Sequence, residues 1–409
     1  MTSHLDAEID RQLAVMRDGA VDFYGEDVLR KKLRQRLDVG RPLRIKLGMD
    51  PSSPDLHLGH TVVLQKLRRF QELGHTPIFL IGDFTAMIGD PSGRKKTRPA
   101  LDREQVRENA RTYVEQVSRV LDTATAEVRF NSEWMDAMTS AEMVRLCSRY
   151  TVARLLERDD FSKRYRAGDP ISVHELIYPF VQAYDSVALE ADVEIGGTDH
   201  TFNLLVAREI QRDYGQSTQA VITHPLLVGL DGVDKMSKSL GNTIGITENP
   251  GDAYGKVMSI SDDLMLQYFD VLRAGEWDDM KEQRDRIAGG GGNPLAFKQE
   301  LASRIVDRFH GPDMARDAAA RFQRVVRDKA APEDLEEIKV KAANSGDRGL
   351  LELLEVLSLV GSRGEARRLI AQQAVHVDGE LITDPAYRIS RGSHLLKVGK
   401  RRYGRVKIE

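Results

Sequence analysis

Two short apolar runs, separated by one amphipathic pattern, constrain this chain more than any other feature. RIKLGM (44–49) is bounded by Pro42 and by Asp50-Pro51, and PIFLIGD (77–83) closes the unit. Between them, HTVVLQKLRRFQELG (60–74) places Val63, Leu67 and Phe70 on one helical face with Leu64 beside them, and Gly74 stands where a helix would stop. A strand, a helix and a strand joined this way form a βαβ unit, which implies a parallel sheet with both faces covered. VEIGG (193–197) and QAVITHPLLV (219–228) read as later strands of the same sheet. Residues 101–190 read as mostly helical, an insertion within this α/β domain.

With 409 residues the chain is long enough for two or three domains. Past Asn249 the pattern turns helical and polar, with a Gly-rich turn at IAGGGGNP (287–294). The charged, weakly apolar stretch 327–349 suits a linker. Beyond it, Ser362 and Glu365 have capping-box spacing, Asp378-Gly379 between alternating runs signals a hairpin, and HLLKVGKRRYGRVKI (394–408) reads as two more strands. The expected layout is an α/β domain over 1–247, an α-helical domain over 248–330, a linker over 331–349 and a small α+β domain over 350–409.

Apolar content of 41% and charged content of 30% describe a soluble globular protein. No apolar run approaches the roughly eighteen residues of a membrane span. The N-terminus alternates acids and bases without an apolar signal core, so a cytoplasmic location is expected. Cys147 is the only cysteine, which excludes an internal disulfide framework and a multi-cysteine metal site. The net charge of −3 conceals a polarity: Gly361–Glu409 holds eleven Lys/Arg against five Asp/Glu. A basic tail on an acidic body suits a polyanionic partner, although a solvated basic surface has the same composition.

The chemistry concentrates in DPSSPDLHLGHT (50–61) and DKMSKS (234–239). His57 and His60 share one face of a helix start. A metal pair lacks both a third ligand and the glutamate of the zinc-protease pattern. Two packed core histidines are the ordinary alternative. Gly59 between them lets a flat base or phosphate approach the backbone, and the helix N-terminus favours anions. Lys235 and Lys238, on a loop after Gly229 and Gly232, can close on a polyphosphate, though a solvated lysine loop is common.

The combination of HLGH after the first strand and KMSKS after the last resembles the two signatures of class I aminoacyl-tRNA synthetases. FTAMIGDPSGRKKTR (84–98) and HELIYPFVQAYDSVALEADVEIGGTDH (174–200) resemble the bacterial tyrosyl-tRNA synthetases, and the likeness runs from Leu43 onward. The resemblance implies a Rossmann-like catalytic domain, an anticodon-side helical domain, an RNA-binding tail, a homodimer, and ATP with Mg2+ as reactants alongside L-tyrosine and tRNA(Tyr). It assigns phosphate contacts to His57, His60, Lys235 and Lys238, the adenosine side to Gly59, Asp50 and Ser52, and the ribose to Asp199. It gives the substrate amino group to Tyr178, Gln182 and Asp90 with Thr85 nearby, and the phenolic hydroxyl to Asp185. Arg94 and Arg98 would belong to a loop over ATP.

Two departures stand out. Lys46 occupies the place where the best-known bacterial members have a tyrosine that helps bind the hydroxyl. The family's GGTDQ reads GGTDH, so His200 replaces a glutamine and can mimic only one face of its amide. In the tail, Arg367, Arg368, Lys400, Arg401, Arg402 and Arg405 are the expected phosphate contacts. Three other readings stay in view: a tryptophan-specific relative, which has no clear use for Asp185 or the tail; a small nucleotidyltransferase, which would be shorter; and an RNA-binding factor without catalysis.

Overall fold

The computed structural model describes residues 2–91, 102–273, 275–324, 335, 337–343, 346–399 and 402–409. Arg94, Arg98, Lys400 and Arg401 therefore lie outside the described residues. The chain divides into two compact units, Met1–Arg316 and Asp317–Glu409. The helical segment expected after residue 247 is thus largely part of the same unit as the α/β sheet.

The first unit is built on six strands: β1 (Asp22–Tyr24), β2 (Arg44–Met49), β3 (Thr76–Ile81), β4 (Glu127–Phe130), β5 (Val193–Gly197) and β6 (Ala220–His224). Their order is β1-β6-β5-β2-β3-β4. All neighbours are parallel except the edge strand β1, which runs antiparallel to β6 with Phe23 opposite Ile222. The interior of β3 and all of β6 are buried, as strands covered on both faces must be. The helix Leu58–Glu72 crosses from β2 to β3 and buries Leu58, Leu64, Leu67 and Phe70 to 2% exposure or less. Each such side chain contributes about 1.5–3 kcal/mol. Gly74 follows the helix at φ 83°, a conformation that glycine adopts without strain.

Two expectations need correction. The segment 101–190 is not only a helical insertion, because β4 within it pairs with β3 and extends the sheet. All four β4 residues are only half-buried, so the edge strand lacks the apolar continuity of its neighbours. The strand expected at 219–228 ends at His224. The remaining helices of the insertion include Val173–Ala188, which packs Phe180, Ala183 and Val187 against Val206, Ala207 and Ile210 of the helix Thr201–Asp213.

This order creates a switch point. From β2 the chain moves to β3 on one side and later to β5 on the other. The loops at the carboxyl ends of β2 and β5 diverge there, which is where open α/β sheets hold ligands.

The second unit has a five-stranded sheet ordered β10-β9-β12-β13-β7 and a pair β11-β8. These are β7 (Glu337–Val340), β8 (Asp347–Gly349), β9 (Val375–Val377), β10 (Glu380–Leu381), β11 (Arg388–Ser390), β12 (Gly392–Val398) and β13 (Arg402–Ile408). Leu350, Leu353, Ile370, Val375, Leu396 and Val406 centre its core. Asp378 and Gly379 both take positive φ, 50° and 90°, as the two-residue hairpin between β9 and β10 requires. Part of the expected linker belongs to this fold. β7 runs parallel to β13, and β8 pairs with β11. The charged composition hid them because both are short and exposed or half-buried.

Candidate active site

A cavity of about 710 Å³ opens at the switch point. It is lined by Asp50, Ser52, His57, Gly59 and His60 after β2, Thr85 and Asp90 after β3, and Asp199 and His200 after β5. Tyr178, Gln182 and Asp185 reach it from the Val173–Ala188 helix, and Lys235 and Lys238 from the loop after β6. Among the described residues, every candidate for catalysis, nucleotide and amino acid thus faces one space, of a size that suits small-molecule ligands.

His57 caps the helix Leu58–Glu72, and His60 in its first turn completes the cap. The Nδ1 of His57 accepts the Gly59 N–H at 3.2 Å, and the Nδ1 of His60 accepts the His57 N–H at 3.1 Å. Their rings lie 3.9 Å apart. Because each Nδ1 accepts, each neutral ring carries its proton on Nε2. Burial pushes His57 down to about 2, helped by His60 and the two lysines, and pushes His60 down to about 4. Both are therefore uncharged N–H donors across the neutral range. A Cβ at Gly59 would stand 3.0 Å from the His57 ring, so a side chain there would crowd the pair.

The histidine segment is joined by backbone to the stretch that follows the lysine loop. Leu58 N–H donates to Ile244 O at 2.9 Å, and Ile246 N–H donates to Leu56 O at 3.1 Å. The lysine loop is fastened by Asp231, just ahead of it, and by Asn242, which the sequence did not single out. Asp231 accepts the Val233 and Asp234 N–H groups at 2.8 and 2.9 Å, and Asn242 Oδ1 accepts the Ser237 N–H at 2.8 Å. Lys235 donates to Asp199 at 2.8 Å, and Lys238 to Asp55 at 2.6 Å. Burial raises Asp199, but the charges of His200 and Lys235 outweigh it and hold its carboxyl below the usual range.

At the other end the polar groups are interlocked. Asp50 accepts the Thr85 hydroxyl at 2.7 Å and the Tyr178 hydroxyl at 2.8 Å. Burial, then the charge of Asp90, pushes Asp50 up to about 6. Arg158 donates to Asn203 Oδ1 at 3.2 Å, and Asn203 Nδ2 donates to Gln182 Oε1 at 2.8 Å. Arginine only donates, so this relay fixes which way both amides face. His200 Nε2 lies 3.8 Å from carboxylates of both Asp90 and Asp199.

Asp185 is 2% exposed and has two neutral donors, Trp134 Nε1–H at 2.9 Å and Asn131 Nδ2–H at 3.4 Å. Burial pushes it up to about 7, against the opposing effect of Lys46. Asn131 and Trp134 were missed because they follow β4, the strand that was read as part of a helical insertion. Recognising β4 would have placed its C-terminal residues beside the cavity.

In the second unit Arg367 and Arg368 are exposed on the helix Arg363–Ala371. Arg402 is committed internally, donating to Leu359 O at 2.6 Å and to Glu365 at 3.3 Å. Among the described residues, no helix is long and apolar enough to cross a membrane.

Comparison with known proteins agrees with this geometry. Residues 38–327 match the family of tRNA synthetases class I (W and Y), and residues 348–395 match the S4 domain. The tyrosine–tRNA ligase of Oleidesulfovibrio alaskensis is 52% identical over 399 residues, 98% of this chain and 99% of that protein. The tyrosine–tRNA ligase of Bordetella pertussis is 51% identical over 401 residues, 98% and 97% of the two chains. The tyrosyl-tRNA synthetase of Archaeoglobus fulgidus, solved with L-tyrosine, superimposes with a TM-score of 0.60 at 26% identity, covering 76% of this chain and 99% of that one. A family spanning most of the sequence, and relatives sharing half of it over nearly their whole length, lead to one conclusion: the chain belongs to the tyrosyl-tRNA synthetases, within the class I tRNA synthetases for tryptophan and tyrosine.

Proposed function

We propose that this cavity joins L-tyrosine to ATP and then passes the tyrosyl group to tRNA(Tyr), with the roles divided between its two ends. In the first step a carboxylate oxygen of tyrosine bonds to the α-phosphorus, and the bond to the bridging oxygen breaks, releasing pyrophosphate. The carboxylate is already ionised, so no general base is needed. In the second, the hydroxyl oxygen of the 3′-terminal adenosine attacks the tyrosyl carbonyl, loses its proton, and AMP leaves.

The observation that carries this reading is the polarity of the cavity: neutral N–H donors and lysines at one end, a buried carboxylate at the other. His57 and His60 would donate from Nε2 to phosphate oxygens as charge builds there. Lys235 and Lys238 would leave Asp199 and Asp55 for the pyrophosphate, which frees Asp199 for the ribose. Ser52 and Gly59 would line the nucleotide. Tyr178, Gln182 and Asp90, with Thr85 and His200 around them, would hold the amino end; Asp50, expected on the nucleotide side, is tied to this end through Thr85 and Tyr178. Asp185 would accept the phenolic proton. Magnesium would enter on the phosphates of ATP and lessen their repulsion.

The test is ATP–pyrophosphate exchange with each of the twenty amino acids in turn. Exchange with tyrosine alone is expected. Exchange with another amino acid would mean that Asp185 does not read the phenol, and none at all would point to RNA binding without catalysis.

A homodimer is part of this proposal. Val144, Val152, Tyr165 and Val173 are 68, 60, 67 and 74% exposed on the insertion, apolar side chains that a second subunit would cover. Sedimentation velocity is expected to give twice the chain mass of 45.9 kDa. A single-chain mass at micromolar concentration would contradict it.

A further inference from the structure

Below Asp185 lies an ion pair that the reaction outlined above does not use. Lys46 on β2 and Glu194 on β5 are register partners across adjacent parallel strands. Their side chains therefore leave the sheet on the same face. Lys46 is 0% and Glu194 is 1% exposed, and they meet at 2.8 Å. A cation inside a buried strand is costly unless its charge and all its donors are met.

Here they are met in full. Lys46 donates to Gln182 O at 3.1 Å, to Ser186 Oγ at 2.8 Å and to Glu194 Oε1 at 2.8 Å. The other Glu194 oxygen accepts the Ser186 hydroxyl at 3.0 Å and the Gln219 amide. An ammonium has three donors, so Lys46 has none left for a substrate hydroxyl. It does not take over the task of the tyrosine expected at its position. Its helical acceptors, Gln182 and Ser186, bracket Asp185 in the chain.

We propose that Lys46 and Glu194 are a positioning pair for reading the tyrosine ring hydroxyl. They clamp the Gln182–Ser186 turn onto the sheet and set the charge of Asp185 from below, without touching the substrate. This rests on the reading of Asp185 as the acceptor of the phenolic proton. The groups facing Asp185 are Lys46 from β2, Glu194 from β5, Tyr178 on its own helix, and the neutral donors Asn131 and Trp134 after β4. Burial raises its proton affinity most, Lys46 lowers it, and Glu194 adds a smaller increase. The balance holds Asp185 at about 7, and its ionised form is the stronger acceptor for the phenolic hydroxyl. Removing the Glu194 charge leaves Lys46 less opposed and moves the titration down. Removing the pair loses the stronger Lys46 effect and moves it up.

The experiment measures the tyrosine dependence of ATP–pyrophosphate exchange from pH 5.5 to 8.5 with the full chain. The variants are Glu194→Gln, the double change Lys46→Met with Glu194→Met, and Asp185→Asn. The double variant removes both charges together, so it leaves no unpaired buried ion and keeps the test open should Glu194→Gln misfold. The acid limb of kcat/KM for tyrosine is expected to move to lower pH in Glu194→Gln and to higher pH in the double variant, by about half to one unit each. The rate at saturating tyrosine and alkaline pH should stay within about threefold. Asp185→Asn should remove the part of the limb near pH 7, leaving that of Asp50 near 6, and weaken the preference for tyrosine over phenylalanine. If Asp185→Asn keeps both, the reading of Asp185 itself fails. If Asp185→Asn behaves as expected but the double variant titrates like the parent, or both pair variants move the limb the same way, the positioning proposal alone is overturned.

Discussion

Replacing His60 by alanine is expected to slow tyrosyl-adenylate formation by about 10²–10³ while leaving the dissociation constant for tyrosine within about twofold. The ring presents Nε2–H because its Nδ1 is occupied by the His57 N–H at 3.1 Å. A donor fixed this way needs no reorganisation when charge develops on the phosphate oxygens. It stands in the first turn of the helix after β2, among the residues proposed to line the nucleotide, so a ground-state effect on tyrosine is not expected. His60→Gln, whose amide nitrogen can reach the Nε2 position, should recover part of the rate. The alanine change removes the acceptor for the His57 N–H, so a stability loss of about 1 kcal/mol should accompany it. A melting curve separates that loss from the rate effect. Since burial holds His60 at about 4 and His57 at about 2, neither should add a limb to the pH profile above about pH 5. Rapid-mixing measurement of adenylate formation, with equilibrium dialysis for tyrosine, checks both parts. A defect confined to tyrosine binding would falsify the phosphate role.

The core of this fold was legible because its signals are local. Val63, Leu67 and Phe70 repeat within one helix, and β3 is a continuous apolar run. Asp378-Gly379 states its own hairpin through two positive φ angles. The edges were not legible. β1 and β4 are short and partly exposed, so neither alternation nor an apolar run marks them. Missing β4 also concealed Asn131 and Trp134, although their partner Asp185 was identified. Lys46 shows the limit most clearly. Nothing in RIKLGM says that its lysine is buried, because the residues that neutralise it come from β5 and from the Val173–Ala188 helix. Only the register of β2 against β5 brings Lys46 beside Glu194. Candidate residues whose type announces a chemistry could be picked out, and they converge on one cavity. Those that work by supporting another side chain could not, since their identity follows from tertiary packing.

Truncation that removes residues 337–409 is expected to leave tyrosine-dependent exchange within about twofold and to lower kcat/KM for tRNA charging by about 10³ or more. The cut falls before β7 because that strand belongs to the small sheet through its pairing with β13. A cut at residue 350, at the edge of the expected linker, would leave β7 and β8 without their partners. The reactive end of the cavity is built wholly from the first unit, so activation should survive. The segment from Gly361 onward carries a net charge of +6, enough to neutralise several phosphates. Losing contacts of that number weakens a polyanion by orders of magnitude and flattens its salt dependence. Arg367 and Arg368, exposed on one helix, offer a finer test in the full chain. Reversing both to glutamate should raise KM for tRNA about tenfold or more and reduce the salt slope, with exchange unchanged. Arg402 should matter less for tRNA and more for stability, because its guanidinium already bonds Leu359 and Glu365. Aminoacylation measured between 50 and 200 mM salt distinguishes these outcomes. Charging by the truncated chain at the parental rate would place the tRNA grip elsewhere, on the first unit.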